Sequence, residues 1–155
     1  NIGFFTAYDD PVEKYLGREP SLDNLIEVTL QKLKSFNKPF FLLIEGSQID
    51  WAEHDNDPKY LLSEMLEFDA AIKSSYNFAE KNKNTLVVVT ADHETGGASI
   101  VDGNLEESIT KTEYSSEKHT AEMVPVYSFG YNSSHFTGVY DNTEIFDKLK
   151  AIIGK

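Results

Sequence analysis

The stretch PFFLLIEGSQIDWAEHDND (residues 39–57) joins a very apolar run to a very polar one. Its first part, PFFLLIE (39–45), is apolar at nearly every position, which predicts a strand covered on both faces. The second part is rich in side chains that can bind metals, with six Asp, Glu or His among the fourteen residues from 44 to 57. Polar side chains that follow a buried strand lie where α/β sheets bind their ligands.

The segment after this stretch predicts a helix and a second strand. Asp57-Pro58 supplies an N-cap followed by proline at the first helical position, and an apolar stripe continues to about Lys81. TLVVVTA (85–91) is again almost entirely apolar. Two such strands joined by a helix are normally parallel neighbours with a right-handed crossover. We therefore expect an α/β fold with a largely parallel sheet flanked by helices.

Shorter elements are predicted on either side of this unit. In chain order they are a strand over IGFFTA (2–7), a helix capped by Ser21 and stopped at Asn37-Lys38-Pro39, a strand over GASIV (97–101), a polar loop over 102–120, a strand over MVPVYSFGY (123–131), and a helix with a capping box at Asp141 and Glu144 that runs through Ile153 to Gly154.

The composition limits the class of protein. The chain has 155 residues, 40% of them hydrophobic, which suffices for one domain with a buried core. Its 26 acidic and 14 basic residues give a net charge of −12, which argues against a nucleic acid partner. An acidic protein also repels phosphorylated substrates unless bound cations offset the charge. Because cysteine is absent and no apolar run approaches ~20 residues, neither a thiol nucleophile nor a membrane span is expected.

Candidate ligands lie at the ends of both predicted strands. Glu45 ends the first strand, and Asp92 and His93 follow the second. If the two strands are parallel neighbours, these three side chains emerge at the same edge of the sheet. Gly96 and Gly97 would let the chain turn away just beyond it.

A second group of candidate ligands follows the first strand. Asp50 and His54 are spaced i, i+4, which places both on one side of a helical turn. His119 lies in the polar segment SSEKHTAEM (115–123), where no apolar pattern explains it as a core residue, and it is the natural third ligand. One carboxylate and two imidazoles suit a zinc site with an open position, and oxygen and nitrogen ligands also leave Mg²⁺ possible.

Each candidate also has an ordinary structural interpretation. Glu45 could be a solvated strand end, and Asp50 and His54 a solvated helix face. Asp92-His93 could form a simple turn. All of these ordinary interpretations become less plausible than a shared metal site, because the predicted topology places the five side chains at one edge of the sheet. Four other side chains are interpreted as structural or solvent-facing rather than as ligands: Asp55, Asp57, Asp69 and His135.

Three strings closely resemble the carboxyl-terminal portion of alkaline phosphatases: FFLLIEGSQIDWAEHDND (40–57), LVVVTADHETGG (86–97) and EKHTAEMVPVYSFG (117–130). Their order and content are specific to that family, and the similarity covers nearly the whole chain. The resemblance implies an alkaline-phosphatase-like fold and metal-dependent hydrolysis of phosphate monoesters through a phosphoserine intermediate. It also implies two Zn²⁺ ions and one Mg²⁺ ion, a homodimeric full-length protein, and a periplasmic or secreted location.

The resemblance further implies a metal for each candidate ligand. In the family, two zinc ions flank the phosphate of the monoester while a serine attacks phosphorus. By this likeness, the first zinc would be held by Asp50, His54 and His119, the second zinc in part by Asp92 and His93, and the magnesium in part by Glu45.

The chain departs from the family pattern in three respects. The family's nucleophilic serine follows an aspartate, and no Asp-Ser pair occurs here. The only arginine, Arg18, does not match the phosphate-binding arginine. The segment between His93 and His119 leaves room only for a reduced crown-like insertion over 98–122. We therefore expect residues 1–155 to be a carboxyl-terminal segment of an alkaline phosphatase domain, with a partial sheet and without activity of its own.

Two other interpretations stay open. Another branch of the superfamily, such as a phosphodiesterase, a sulfatase-like enzyme or a phosphoglycerate mutase, has a related metal pattern. A metal-binding domain without catalysis would explain why the nucleophile and the phosphate-binding arginine are missing. Metal content and hydrolysis of a phosphate monoester would separate these classes.

Overall fold

The structure is a computed structural model that describes residues 10–153. The α-helices and β-strands of this range are, in chain order, α1 (Leu22–Ser35), α2 (Gln48–His54), α3 (Pro58–Lys81), β1 (Leu86–Val89), β2 (Glu94–Thr95), β3 (Ser99–Asn104), β4 (Ile109–Glu113), β5 (His119–Thr120), β6 (Tyr127–Gly130) and α4 (Glu144–Ile153). The predicted strand over 2–7 and the predicted stop at Gly154 lie outside the described residues. Within 10–153, every helix is too short or too polar to cross a lipid bilayer.

The chain divides into two compact units. The first comprises the residues up to Ser74 together with Thr95–Thr120, and the second comprises Ser75–Glu94 together with the residues from Ala121 onward. The strands pair in twos, β1 with β6, β2 with β5, and β3 with β4. The β1–β6 and β3–β4 pairs are antiparallel. The first unit is built around α1, α2 and the larger part of α3, and the second around the β1–β6 pair and α4.

Helix α3 begins and ends where the sequence predicts. The side chain of Asp57 accepts hydrogen bonds from the backbone N–H groups of Lys59 at 2.9 Å and Tyr60 at 3.0 Å. These are two of the N–H groups that have no partner inside a helix, so the cap fixes the start at Pro58. The helix ends at Lys81, as predicted.

The two other predicted helices are also formed. Helix α1 starts directly after Ser21 and ends at Ser35, just before Asn37 takes a left-handed conformation with φ of 50°. Helix α4 begins at Glu144, and just before it the side chain of Asp141 accepts hydrogen bonds from the backbone N–H of Thr143 at 3.0 Å and from its hydroxyl at 2.7 Å.

The buried face of α3 in the first unit differs from the predicted stripe by about one residue. The most deeply buried side chains are those of Tyr60, Glu64, Glu67 and Ala71, whereas Met65, which belongs to the apolar stripe of Leu61, Met65, Phe68 and Ile72 in the sequence, is 48% exposed. Two of the buried side chains are carboxylates, which an apolar pattern cannot anticipate. They are buried because a cation reaches them from another segment, as described below.

The predicted strand over 39–45 is not formed. None of the described segments pairs with it, and Phe41 and Leu43 are 62% and 79% exposed. The second predicted strand, 85–91, is formed as β1 but pairs in antiparallel orientation with β6. The α/β class is confirmed, and the parallel pairing of 39–45 with 85–91 is wrong. An apolar run signals burial, but it carries no information about which partner supplies the hydrogen-bond ladder.

The polar segment 102–120 is not a simple loop. The predicted strand over 97–101 is formed as β3 and continues to Asn104, and β4 pairs with it as a hairpin. Every residue of β3 is exposed. The β-branched residues of β4, such as Ile109 and Thr110, favour strand geometry without any need for burial, which the polar composition concealed. The strand predicted over 123–131 is formed over its second half, as β6.

Candidate metal centre

Asp50, His54 and His119 bring their ligand atoms together in the first unit. The Nε2 atoms of His54 and His119 are 3.1 Å apart. Oδ2 of Asp50 lies 3.5 Å from Nε2 of His54, and Oδ1 lies 3.6 Å from Nε2 of His119. Within residues 10–153, this is the one group of three or more Asp, Glu or His side chains with such mutual proximity, all ligand atoms lying within 4.8 Å. The structure thus joins the i, i+4 pair to His119.

The separations fit a tetrahedral zinc ion. Ligand atoms at ~2.0–2.1 Å from zinc and at tetrahedral angles are about 3.3 Å from one another. The observed values of 3.1, 3.5 and 3.6 Å lie on either side of that distance. The three side chains are also 34%, 36% and 51% exposed, so a zinc ion held by them would be accessible to solvent. Three protein ligands and one open position are typical of catalytic zinc sites.

The ring orientation of His54 also suits a metal. Its Nδ1 lies 2.7 Å from the backbone carbonyl oxygen of Glu117. Because a carbonyl oxygen only accepts, Nδ1 carries the hydrogen and Nε2 presents a lone pair. That lone pair points toward Nε2 of His119, 3.1 Å away. A cation placed between the two nitrogens would accept that lone pair, and a backbone carbonyl is a usual outer partner of a metal-bound histidine.

Short elements place the three ligands. Helix α2 carries Asp50 and His54 on one side, while Gln48 and Ala52 on the other side are 3% and 0% exposed. Thr95 of β2 is 1% exposed, and its hydroxyl donates a 2.6 Å hydrogen bond to Oδ1 of Asp50. The third ligand begins strand β5, which pairs with β2. The paired strands β5 and β2 therefore carry the ligand His119 and the hydroxyl of Thr95 that orients the ligand Asp50.

Gly96 closes the loop beside the candidate metal centre. Its backbone N–H donates to the carbonyl of Lys118 at 3.1 Å, and its carbonyl accepts from the N–H groups of Ser115 at 2.9 Å and Ser116 at 3.1 Å. It has φ of 81°, and a Cβ placed there would lie 3.0 Å from the carbonyl oxygen of Glu53. A glycine is required at this position both for its conformation and for its contact with the end of α2.

Asp92 and His93 lie directly after β1, in the second unit. Nε2 of His93 is 3.2 Å from Oδ2 of Asp92. The carboxylate is 88% exposed and the imidazole 28% exposed. Both side chains therefore lie at the end of the strand that the sequence predicts, and their assignment as zinc ligands stays a prediction.

Glu45 lies in the first unit, at the end of the segment predicted as a strand. Its side chain is exposed, and it borders a cavity of about 120 Å³ whose wall includes Arg18, Gly46 and Glu64. Among the described side chains of its own unit, it belongs to no group of three ligand-type residues. The sequence prediction for Glu45 as a magnesium ligand stays a prediction.

Arg18 is bound to buried carboxylates. It forms ion pairs with Glu64 and Glu67, whose side chains are both 4% exposed. Burial opposes the charge of Arg18, but its hydrogen bonds to both glutamates outweigh burial and raise its pKa. Burial likewise tends to raise the pKa of Glu67, but hydrogen bonds from Arg18 and Lys14 outweigh it and hold that pKa below its ordinary value.

Sequence reasoning missed two parts of this arrangement. Thr95 was not recognised as the partner of Asp50, and Glu64 and Glu67 were not recognised as partners of Arg18. The glutamates carry a weak signal, because they are spaced i, i+3 beside an apolar stripe. A single buried threonine carries none.

Comparison with known proteins gives a consistent set of relatives. The sequence pattern of the family described as alkaline phosphatase matches residues 3–105. Alkaline phosphatase 3 of Bacillus subtilis (strain 168) is 33% identical over 196 aligned positions, which cover 81% of this chain and 42% of that protein. Alkaline phosphatase from the Antarctic bacterium TAB5 superposes with a TM-score of 0.84 at 38% identity, covering 91% of this chain and 43% of that one. A single-residue variant of the TAB5 enzyme with Mg bound in its M3 site superposes with a TM-score of 0.84 at 37% identity.

The superpositions confirm the fold expected from the three strings. They also set the extent of the likeness, since this chain spans 42% of the length of the Bacillus protein and 43% of the TAB5 chain.

Proposed function

Because the chain belongs to the alkaline phosphatase family, we propose that it is the metal-binding part of a phosphatase that hydrolyses phosphate monoesters. The observation that carries the proposal is the convergence of Asp50, His54 and His119, with the Nε2 atoms of the two histidines 3.1 Å apart. One carboxylate and two imidazoles around a solvent-open position form a donor set suited to Zn²⁺ in hydrolysis.

Each candidate ligand has a role in this proposal. The first zinc is assigned to Asp50, His54 and His119, the second zinc in part to Asp92 and His93, and the magnesium in part to Glu45. Zinc bound in such a site would act as a Lewis acid on a phosphoryl oxygen and on the attacking oxygen. The protein's own contribution is orientation: the carbonyl of Glu117 fixes the tautomer of His54, and the hydroxyl of Thr95 fixes the carboxylate of Asp50.

The charge of the chain supports a metal-dependent mechanism. With a net charge of −12, the protein repels a phosphate dianion. Arg18 is engaged with two buried glutamates, so it is not available to clamp phosphate. Cations held by the candidate ligands are then the groups that attract the substrate. The chain contains no Asp-Ser pair to match the family's nucleophile, so we expect the isolated chain to bind metal without turning over substrate.

Further parts of the proposal rest on family membership. They are a phosphoserine intermediate, a homodimeric full-length protein, a periplasmic or secreted location, and the reading of 98–122 as a reduced crown-like insertion. An Asp-Ser-Ala motif in the coding sequence upstream of this segment would support the phosphomonoesterase. A different motif there would favour another branch of the superfamily.

Zinc stoichiometry tests the proposed metal centre. Equilibrium dialysis with elemental analysis should find about one tightly bound zinc per chain, since only the first site has three protein ligands in this chain. Asp50→Asn and His119→Gln should each abolish tight binding. The control is His135→Gln, an exposed histidine in the second unit, which should leave binding unchanged. Tight zinc retained by the Asp50 and His119 variants would show that the site is wrongly assigned.

Hydrolysis of p-nitrophenyl phosphate at alkaline pH tests the second half of the proposal. The zinc-loaded chain should release no p-nitrophenol above the metal-only control. Robust turnover, lost in Asp50→Asn, would show that the chain contains a nucleophile that its sequence does not reveal. Hydrolysis of bis(p-nitrophenyl) phosphate or p-nitrophenyl sulfate in place of the monoester would favour the phosphodiesterase or the sulfatase-like branch.

A further inference from the structure

We propose that Gln48 is a positioning residue for the metal centre, acting through a buried polar network that fixes the start of α2 and with it Asp50 and His54. The inference rests on the zinc site proposed above and adds to it a set of residues that touch neither metal nor substrate. These residues, here called the Gln48 network, are Gln48, Arg18, Tyr60, Glu64 and Glu67.

The side-chain amide of Gln48 is held on both ends. Its Oε1 accepts a 2.8 Å hydrogen bond from Nη1 of Arg18 and a 3.0 Å hydrogen bond from the hydroxyl of Tyr60. Its Nε2 donates to the backbone carbonyl of Pro11. Burial and the nearby charge of Glu64 raise the pKa of Tyr60 to about 12, so its hydroxyl stays a donor. With Gln48 only 3% exposed, displacing it would leave buried polar groups without partners.

Arg18 is itself immobilised. Its Nη2 bridges Glu64 and Glu67 of α3, while its Nη1 donates to Gln48 and to the backbone carbonyl of Val12 at 3.1 Å. These bonds engage four of the five N–H donors of a guanidinium group. Moving Arg18 would remove the ion pair of the buried Glu64 and leave Glu67 paired with Lys14 alone, which is strongly unfavourable. The guanidinium is therefore a fixed point that ties Gln48 to α3.

Helix α2 needs such an external support. It has seven residues, and helices of that length are not stable by themselves in water. Its buried side is formed by Gln48 and Ala52, and the methyl group of Ala52 has no directional bond to offer. The amide of Gln48 therefore supplies the directional constraint on the first turn, two residues before Asp50 and about 1.7 turns before His54.

The metal centre is sensitive to such a constraint. Zinc ligands must lie within about 0.2 Å of their ideal distances. A small rotation or shift of α2 moves Asp50 and His54 relative to His119, which belongs to a different element, β5. The network thus acts on metal affinity through the relative placement of two elements, without contact with the ion.

A graded set of variants tests this inference on the full chain. Gln48→Met keeps the length of the side chain but removes its hydrogen bonds, while the ion pairs of Arg18 remain. Tyr60→Phe removes one of the bonds to Gln48 and preserves volume. The control is Leu30→Ala, a core residue of α1 in the same unit that is 7% exposed and lies outside the network. Zinc affinity is measured by competition with a chromophoric chelator, and ligand geometry from the visible absorption of the Co²⁺-loaded protein.

We expect Gln48→Met to weaken zinc binding about 10- to 100-fold, the range seen for outer partners of metal ligands, and to change the Co²⁺ spectrum. Tyr60→Phe should weaken binding less, by about threefold to tenfold given the loss of one hydrogen bond. Leu30→Ala should lower the melting temperature of the metal-free chain but leave zinc affinity and the Co²⁺ spectrum of the folded protein unchanged.

Three results would overturn the inference. In the first, Gln48→Met and Tyr60→Phe bind zinc as the wild type does, with the same Co²⁺ spectrum. In the second, Leu30→Ala loses as much affinity as Gln48→Met, which would show a general effect of instability. In the third, the wild type itself binds no zinc, which would overturn the proposed function as well. If Gln48→Met does not fold, Tyr60→Phe alone still distinguishes these results.

Discussion

The hydroxyl of Thr95 fixes one oxygen of Asp50 from a position that is only 1% exposed. The 2.6 Å hydrogen bond occupies Oδ1 of the carboxylate and limits its rotation, while Oδ2 remains 3.5 Å from Nε2 of His54. Outer partners of this kind orient a ligand before the metal arrives, so that binding loses less conformational entropy. A hydroxyl that makes no contact with the metal can therefore control the affinity for it.

Thr95→Val tests this role, because valine has nearly the shape of threonine but no hydroxyl. We expect zinc affinity to fall about tenfold or more, since the Asp50 carboxylate loses its orienting partner. Thr95→Ser, which keeps a hydroxyl, should retain most of the wild-type affinity. Competition titration with a zinc chelator measures both, and equal affinities for Thr95→Val and the wild type would contradict the assignment.

Glu67 links the stability of the first unit to pH. Burial tends to raise its pKa, but hydrogen bonds from Arg18 and Lys14 outweigh burial and lower the pKa below its ordinary 4.5. The folded state therefore favours the ionised carboxylate. This contribution to stability is fully present above pH 4.5 and is lost as the pH falls through the lowered pKa of the folded state.

Glu67→Gln should accordingly make the free energy of unfolding less dependent on pH below 4.5. Urea unfolding followed over a pH series should show a less stable variant at neutral pH, with a smaller further loss below 4.5 than in the wild type. The matched control is Glu27→Gln, an exposed glutamate on α1 that accepts a bond from Ser74. That variant should keep the wild-type slope, and an equal change in slope for both variants would contradict the role of Glu67.

The start of α3 depends on a local cap. Asp57→Ala removes the acceptor for the N–H groups of Lys59 and Tyr60. We expect the free energy of unfolding to fall by about 1 kcal/mol, the usual cost of losing an N-cap side chain. Asp55→Ala removes a nearby exposed carboxylate that does not cap α3, and should change stability by less than about 0.5 kcal/mol. Chemical denaturation of the three proteins measures the difference.

Local signals explain why the helices could be predicted from the sequence. The cap at Asp57-Pro58 and the stop near Asn37 lie within a few residues of the ends that they determine. The buried face of α3 could not be predicted, because Arg18 lies 46 residues from Glu64 and 49 residues from Glu67 in the sequence. The same applies to the strands, since the partner of β1 is a segment some forty residues away in the chain.

The candidate metal centre was predictable to the extent that its ligands follow a pattern. The spacing of Asp50 and His54 indicated one side of a helical turn, and His119 was singled out because no structural pattern accounted for it. Thr95 and Gln48 could not be found in this way. Each is a lone polar residue in the sequence, and its importance arises only when the tertiary structure buries it beside a distant partner.

The segment over 39–45 leaves apolar side chains in solvent. Phe40, Phe41 and Leu43 are 39%, 62% and 79% exposed, although they are consecutive or nearly so in the chain. An exposed apolar surface of this kind promotes association between chains. We expect the isolated chain to form oligomers as its concentration rises, in sedimentation or light-scattering experiments.

Phe41→Ser combined with Leu43→Ser should reduce this association. Leu105→Ser is the control, because Leu105 is completely exposed but lies between β3 and β4, outside the segment 39–45. It should have little effect on the oligomers. A monomeric wild type with a melting transition independent of concentration would contradict the expectation.

The two ends of the segment that carries the β3–β4 hairpin meet at one closed base within the first unit. The hydrogen bond from Gly96 to Lys118 and the pairing of β2 with β5 hold the two ends together, whatever lies between them. The entropic cost of closing a loop grows only slowly with its length. The chain between 97 and 117 can therefore gain, lose or exchange residues during evolution while Thr95 and His119 keep their places. New surfaces for recognition can arise there by insertion, next to a metal centre that need not change.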